Sequence, residues 1–143
     1  MTHILGTVSE AMSSPVITVP PDRSLTDAAE QLLGEGVGSA VVTAETLEGI
    51  VTKTDLLAGH SACDDPAGQP VSRVMSSPVV TVQPDQPLSA AARRLDDNEI
   101  KHLVVVDKGV EGVLTTTDIL NQLAPTTTKL VDQVTAGVDG AGD

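Results

Sequence analysis

Two seven-residue stretches hold the residue types from which a binding chemistry could be built. They are Gly49-Ile50-Val51-Thr52-Lys53-Thr54-Asp55 and Gly112-Val113-Leu114-Thr115-Thr116-Thr117-Asp118. In each, an apolar run ends, hydroxyls and a carboxylate follow, and Leu56-Leu57 or Ile119-Leu120 opens the apolar face of a helix. A helix N-terminus turns N–H groups and a positive dipole end toward a phosphate. Threonine hydroxyls add donors, and an ionised aspartate accepts from the two adjacent hydroxyls of a ribose. The chemistry on offer is the holding of a phosphorylated ribose. The same residues also make a common helix N-cap, and spacing alone leaves both readings open.

The elements that must position these residues come in duplicate. Met12-Ser13-Ser14-Pro15-Val16 returns as Met75-Ser76-Ser77-Pro78-Val79, an offset of 63. Residues 8–57 and 71–120 align at that offset without a gap, with 23 identities in 50 positions. The chain is therefore two copies of one unit. In each copy a short β-branched run (Val16–Val19, Val79–Val82) is closed by Pro and Asp. A helix follows, with Leu25, Ala28, Ala29 and Leu32, or Leu88, Ala91, Ala92 and Leu95, on one face. Ser24 and Asp27 suit a capping box, whereas the counterpart Pro87 suits the first helical turn. Arg93 and Arg94 are expected to point outward and pair with nearby acids. Two strands come next, near Ala40–Thr43 and Gly49–Val51, and near Leu103–Val106 and Gly112–Leu114. A second helix is expected to start near Asp55 or Asp118.

The predicted fold class is α+β: two β-α-β-β-α motifs packed as a pseudo-twofold pair, because about fifty residues bury too little alone. The expected organisation is motif one over residues 7–57, a linker over 58–70, motif two over 71–120 and a tail over 121–143. In the tail, Leu130, Val131 and Val134 could make one amphipathic turn. Met12 and Met75 are expected in core or cleft packing.

Composition narrows the partners. The chain has 143 residues, 20 Asp plus Glu against 8 Lys plus Arg, a net charge of −12, and no Phe, Tyr or Trp. Such a charge repels phosphate backbones, and base stacking on aromatic rings is impossible, so no nucleic-acid partner is expected. No apolar run is long enough for a membrane span, and the N-terminus has no signal-peptide pattern. The lone Cys63 fits a reducing compartment, so a cytoplasmic location is expected. His60, Cys63, Asp64 and Asp65 are metal-ligand types confined to one linker, and no metal site is expected. No Walker loop, nucleophile elbow or paired histidines are found, so no catalysis is expected. The acidity is a coat spread along the chain, and with only four Lys it resembles proteins of salt-accumulating organisms. Stability is expected to rise with salt.

The Met-Ser-x-Pro-Val-x-Thr-Val opening, the Ile100–Asp107 run and the Gly-h-h-Thr-x-x-Asp close, where h is apolar, resemble the CBS domains, which occur as tandem pairs (Bateman modules). The resemblance covers residues 8–57 and 71–120. It implies a stand-alone, non-catalytic regulatory module that binds AMP, ADP, ATP or S-adenosylmethionine in a cleft between the motifs, with no other cofactor. It also implies a homodimer acting on a regulated partner. By position, Asp55 and Asp118 would bind ribose hydroxyls, and Thr52, Thr54, Thr115 and Thr117 would face ribose or phosphate. Val16 to Thr18 and Val79 to Thr81 would border the adenine, helped by Ala40 and Leu103. The copies differ: Lys101-His102 stands where copy one has Gly38-Ser39, and Lys53 stands where copy two has Thr116. The copy-two site is thus expected to be better supplied with cations. The alternative reading is a structural or interaction module that binds no nucleotide, and an enzyme is the third.

Overall fold

The β-branched runs become strands and the periodic segments become helices in the computed structural model, which describes residues 6–14 and 16–123. In chain order the elements are α1 (Val8–Ala11), β1 (Thr18–Val19), α2 (Leu25–Glu35), β2 (Ser39–Thr43), β3 (Leu47–Thr52) and α3 (Lys53–Ala62). Two single-turn 3-10 helices, Pro66–Gly68 and Val71–Arg73, lead into β4 (Thr81–Val82), α4 (Leu88–Asp97), β5 (His102–Val106), β6 (Val110–Thr115) and α5 (Thr116–Leu123). The mixed α+β class is as expected from the sequence. The turn expected at Leu130, Val131 and Val134 lies outside the described residues. Among the described residues no helix is long and apolar enough to cross a membrane.

The strands form two three-stranded sheets, β1-β2-β3 and β4-β5-β6. In each, the first strand runs parallel to the second and the second antiparallel to the third. A parallel neighbour needs a crossover, which α2 and α4 supply. The predicted helical stripe is the buried one: Leu25, Ala28 and Leu32 on α2, and Leu88, Ala91 and Leu95 on α4. Around α2 they pack with Val19, Ala40, Val42, Val51, Leu56 and Val71 into one aliphatic core. Among the described residues no polar side chain is buried.

Two compact units result, and they cut across the repeats: one joins residues 6–14 to 81–123, the other spans 16–80. Backbone bonds explain the division. Val8 and Ser9 donate to the carbonyls of Gln86 and Pro84, and Leu88 donates to Gly6. The same three bonds recur in the other unit: Val71 and Ser72 donate to Arg23 and Pro21, and Leu25 donates to Gln69. Ser13 exchanges a bonded pair with Val113 on β6, and Ser76 exchanges one with Ile50 on β3. Each repeat thus lends its leading segment to the body of the other.

Helix ends show where local chemistry shaped the fold. Ser24 caps α2, its Oγ accepting from the Asp27 N–H at 3.0 Å. Pro87 occupies the N-cap itself, not the first helical turn expected for it, and contributes no side-chain cap. Both α2 and α4 end in the same paired bonds, Val37 to Leu32 and Gly36 to Leu33, Ile100 to Leu95 and Glu99 to Asp96. The residue that turns the chain is left-handed in each: Gly36 at φ 69° and Glu99 at φ 53°.

Candidate functional site

The strand-to-helix junctions singled out by the sequence are built identically. In β3-α3, Thr52 Oγ1 accepts from the Asp55 N–H at 3.1 Å, and Asp55 Oδ2 accepts from the Thr52 N–H at 2.9 Å. In β6-α5, Thr115 and Asp118 make the same pair at 3.1 and 2.9 Å. These are reciprocal capping boxes, so the N-cap reading holds at both sites. Because Thr52 is the cap, α3 begins at Lys53 instead of near Asp55.

The boxes also decide what is left for a ligand. The Lys53 N–H donates to the Gly38 carbonyl and the Thr116 N–H to the Lys101 carbonyl. With Asp55 N and Asp118 N bound to threonine hydroxyls, two of the first three helical N–H groups at each junction are used internally. The remaining donors are the Thr54 and Thr117 N–H groups, beside exposed hydroxyls. The half-buried Asp55 and Asp118 carboxylates each spend one oxygen on the box. A carboxylate has about four acceptor positions, so each keeps capacity for hydroxyl donors.

The neighbouring strand sets the surroundings. Register places Ser39 opposite Thr52 and His102 opposite Thr115. Thr18 and Thr81, the exposed residues of β1 and β4, stand in register with Val41 and Val104. Here the sequence reading missed a residue. Arg94, expected to pair with acids, instead donates through Nη1 to the backbone carbonyl of Thr81. Its repeat counterpart, Gln31, accepts from Arg23 Nη1 at 2.7 Å. The signal was available as a Gln-to-Arg difference between aligned helices.

Several expected site residues are placed elsewhere. Ala40 and Leu103 have no exposed surface; Ala40 belongs to the core under α2, so neither side chain can border a base, contrary to expectation. Lys53 lines the groove between α2 and α3, and Lys101 lines the one between α4 and α5. Val16, Thr18 and Val79 fall in the 16–80 unit with Thr52, Thr54 and Asp55, while Thr81 falls in the other with His102, Thr115, Thr117 and Asp118. Among the described residues no group of three His, Cys, Asp or Glu could hold a metal.

The glycine that opens each motif has a packing cause. A Cβ on Gly49 would lie 2.7 Å from Met75 Sδ and 2.8 Å from the Ser76 carbonyl oxygen. A Cβ on Gly112 would lie 2.9 Å from Met12 Sδ and 2.7 Å from the Ser13 oxygen. Only a residue without a side chain lets the borrowed leading segment reach the strand. The paired methionines and glycines are one contact, formed twice.

Comparison with known proteins agrees with this architecture. The family model described as CBS domain matches residues 8–60 and 71–125. The CBS domain-containing protein YhcV of Bacillus subtilis is 28% identical over 123 residues, covering 84% of this chain and 88% of that protein. A homoserine O-acetyltransferase of Methanosalsum zhilinae is 30% identical over 104 residues, and the match spans 71% of this chain and 20% of that enzyme. Among solved structures, the CBS domain pair of protein MJ0100, in complex with 5′-methylthioadenosine and S-adenosyl-L-methionine, superposes with a TM-score of 0.71. It is 24% identical and is covered to 98%, against 85% of this chain.

Proposed function

We propose, starting from the fact that the chain belongs to the CBS-domain family, that it is a non-catalytic sensor of adenosine-containing ligands. The observation that carries this reading is the duplicated Thr-x-x-Asp junction. Each has a half-buried carboxylate with acceptor capacity beyond its capping bond, next to an exposed threonine and one unclaimed helical N–H. Asp55 and Asp118 accept from ribose hydroxyls, and Thr54 and Thr117 donate to the ribose or its phosphate. Aliphatic and threonine side chains at Val16, Thr18, Val79 and Thr81 border the base, since no aromatic residue is available for stacking. The complex of the MJ0100 pair with two adenosyl compounds supports this ligand class.

The mechanism follows from differential affinity. A ligand that binds one packing of the protein more tightly than another shifts the population, and a partner reads the shift. The working unit is a cytoplasmic homodimer. With His102 opposite Thr115 and Ser39 opposite Thr52, the copy-two site favours the more highly phosphorylated ligand.

Titration of the protein and of its Asp55→Ala and Asp118→Ala variants with AMP, ATP and S-adenosylmethionine tests the reading. The chain has no Trp or Tyr, so absorbance in the adenine band reports bound nucleotide directly. Each substitution is expected to weaken binding about tenfold or more, about 1.4 kcal/mol, with Asp118→Ala hitting ATP harder than AMP. Equal losses for both ligands would remove the proposed difference between sites. A second reading, a structural module whose junctions are only caps, is favoured by the capping boxes themselves. Absence of binding by every adenosyl ligand would establish it.

A further inference from the structure

Of the three methionines in the chain, two stand in one repeated contact. Met75 rests its sulfur on the bare face of Gly49, and Met12 rests its sulfur on Gly112. Their Cγ atoms are nearly as close, 3.0 and 3.2 Å from where a glycine Cβ would stand. The residue after each methionine bonds the same strand. Ser76 exchanges N–H bonds with Ile50 at 2.8 and 3.1 Å, and Ser13 with Val113 at 2.9 and 3.2 Å. Each borrowed segment is thus held here by two backbone bonds and one thioether. Both methionines are half-buried, and Met75 packs against the aliphatic core under α2. A thioether so placed meets apolar atoms on one side and a small solute on the other.

We propose that Met12 and Met75 are paired oxidation sites through which hydrogen peroxide releases the two leading segments. A sulfur lone pair attacks one peroxide oxygen and the O–O bond breaks. The proton on the transferred oxygen passes to the departing hydroxide, which leaves as water. Sulfur loses two electrons and the peroxide gains them. The product is a polar sulfoxide, which favours water over a glycine backbone and an aliphatic core. A contact too tight for a Cβ has no space for the added oxygen, so the side chain turns outward and its segment loosens. Because the contact is formed twice, both units respond to one oxidant. The chain runs on from Met12 to Val16 and Thr18, and from Met75 to Val79 and Thr81, the residues proposed to border the base. Release therefore lowers ligand affinity. That consequence rests on the adenosyl-sensor reading, whereas the oxidation and the release do not.

The test uses the full chain with Cys63→Ser as background, because a thiol also reacts with peroxide. Treated protein is mapped by peptide mass, and amide hydrogen exchange is followed at Ser13, Val113, Ser76 and Ile50. Sulfoxides are expected at both Met12 and Met75, with exchange about tenfold faster at the four amides. Methionine sulfoxide reductases are expected to restore the slow exchange. Met12→Leu is expected to make Ser13 and Val113 insensitive to peroxide while Ser76 and Ile50 still respond, and Met75→Leu the reverse. Leucine keeps the apolar volume, and the untouched contact in each variant shows that it has folded. Peroxide that converts only Met1 would overturn the proposal. So would sulfoxides at both sites with unchanged exchange, or a release that the reductases cannot reverse. Titration with ATP before and after peroxide reads the ligand consequence separately. Untreated protein that binds no adenosyl ligand removes the sensor reading and leaves the oxidation sites standing. Unchanged ATP affinity after a measured release overturns the coupling between them.

Discussion

The unit of residues 16–80 and the unit of residues 6–14 with 81–123 share their backbone bonds almost one for one and differ in the side chains that finish them. The capping boxes have the same two bond lengths, and the leading segments dock through equivalent donors and acceptors. Yet Ala40 is answered by Leu103, Gly36 by Glu99, Ser24 by Pro87, Gln31 by Arg94 and Ser39 by His102. Main-chain geometry tolerates little variation, because a displaced strand or cap leaves buried polar groups without partners. Side-chain volume and surface charge can drift, provided each core remains filled. Divergence is therefore concentrated in packing, helix ends and the surroundings of the proposed ligand, where the two halves can acquire different roles.

The core offers the sharpest way to break this comparison. Leu103 and Ala40 hold equivalent strand positions, both fully buried. Replacing Leu103 with Ala is expected to lower the unfolding free energy by about 2–5 kcal/mol, measured by denaturant titration. A negligible loss would mean the two cores are filled in the same way after all. The methionine-glycine contact should behave symmetrically. Gly49→Ala and Gly112→Ala each force a Cβ against a backbone oxygen within 2.8 Å, and each is expected to cost about 1–3 kcal/mol. A large effect at one and none at the other would show that the leading segments are not held alike. The smallest change concerns the helix ends. Glu99→Gly removes a side chain from a left-handed residue and is expected to add about 1 kcal/mol of stability, seen as a higher thermal midpoint. A loss instead would mean that the Glu99 side chain makes a stabilising contact that outweighs its backbone strain.

Much of this molecule is legible in its residues alone. The offset of 63, the 3.6-residue stripe of Leu25, Ala28 and Leu32, and the Thr-x-x-Asp close are local patterns, and local patterns follow from the spacing of side chains along one element. They located the strands, the buried helix faces and the junctions. Other features escaped because they depend on a neighbour far along the chain. Arg94 reaches Thr81 instead of an acid on its own helix. Ala40 and Leu103 look like candidate lining residues until both are found without exposed surface. Lys53 sits between two site threonines in sequence, yet the residue also borders the α2-α3 groove.

By itself the sequence determined a duplicated, aromatic-free, acidic α+β chain with a capped strand-to-helix junction in each copy. Periodicity, capping preference and repetition are properties of adjacent residues, so they can be read without knowing what packs on what. Only the tertiary structure decided that each repeat gives its leading segment to the other. Ser13 bonds to Val113 and Ser76 to Ile50. The two leading segments are nearly identical in sequence, so nothing local distinguishes a strand of their own repeat from one of the other. Chain connectivity and the filling of two cores made that choice.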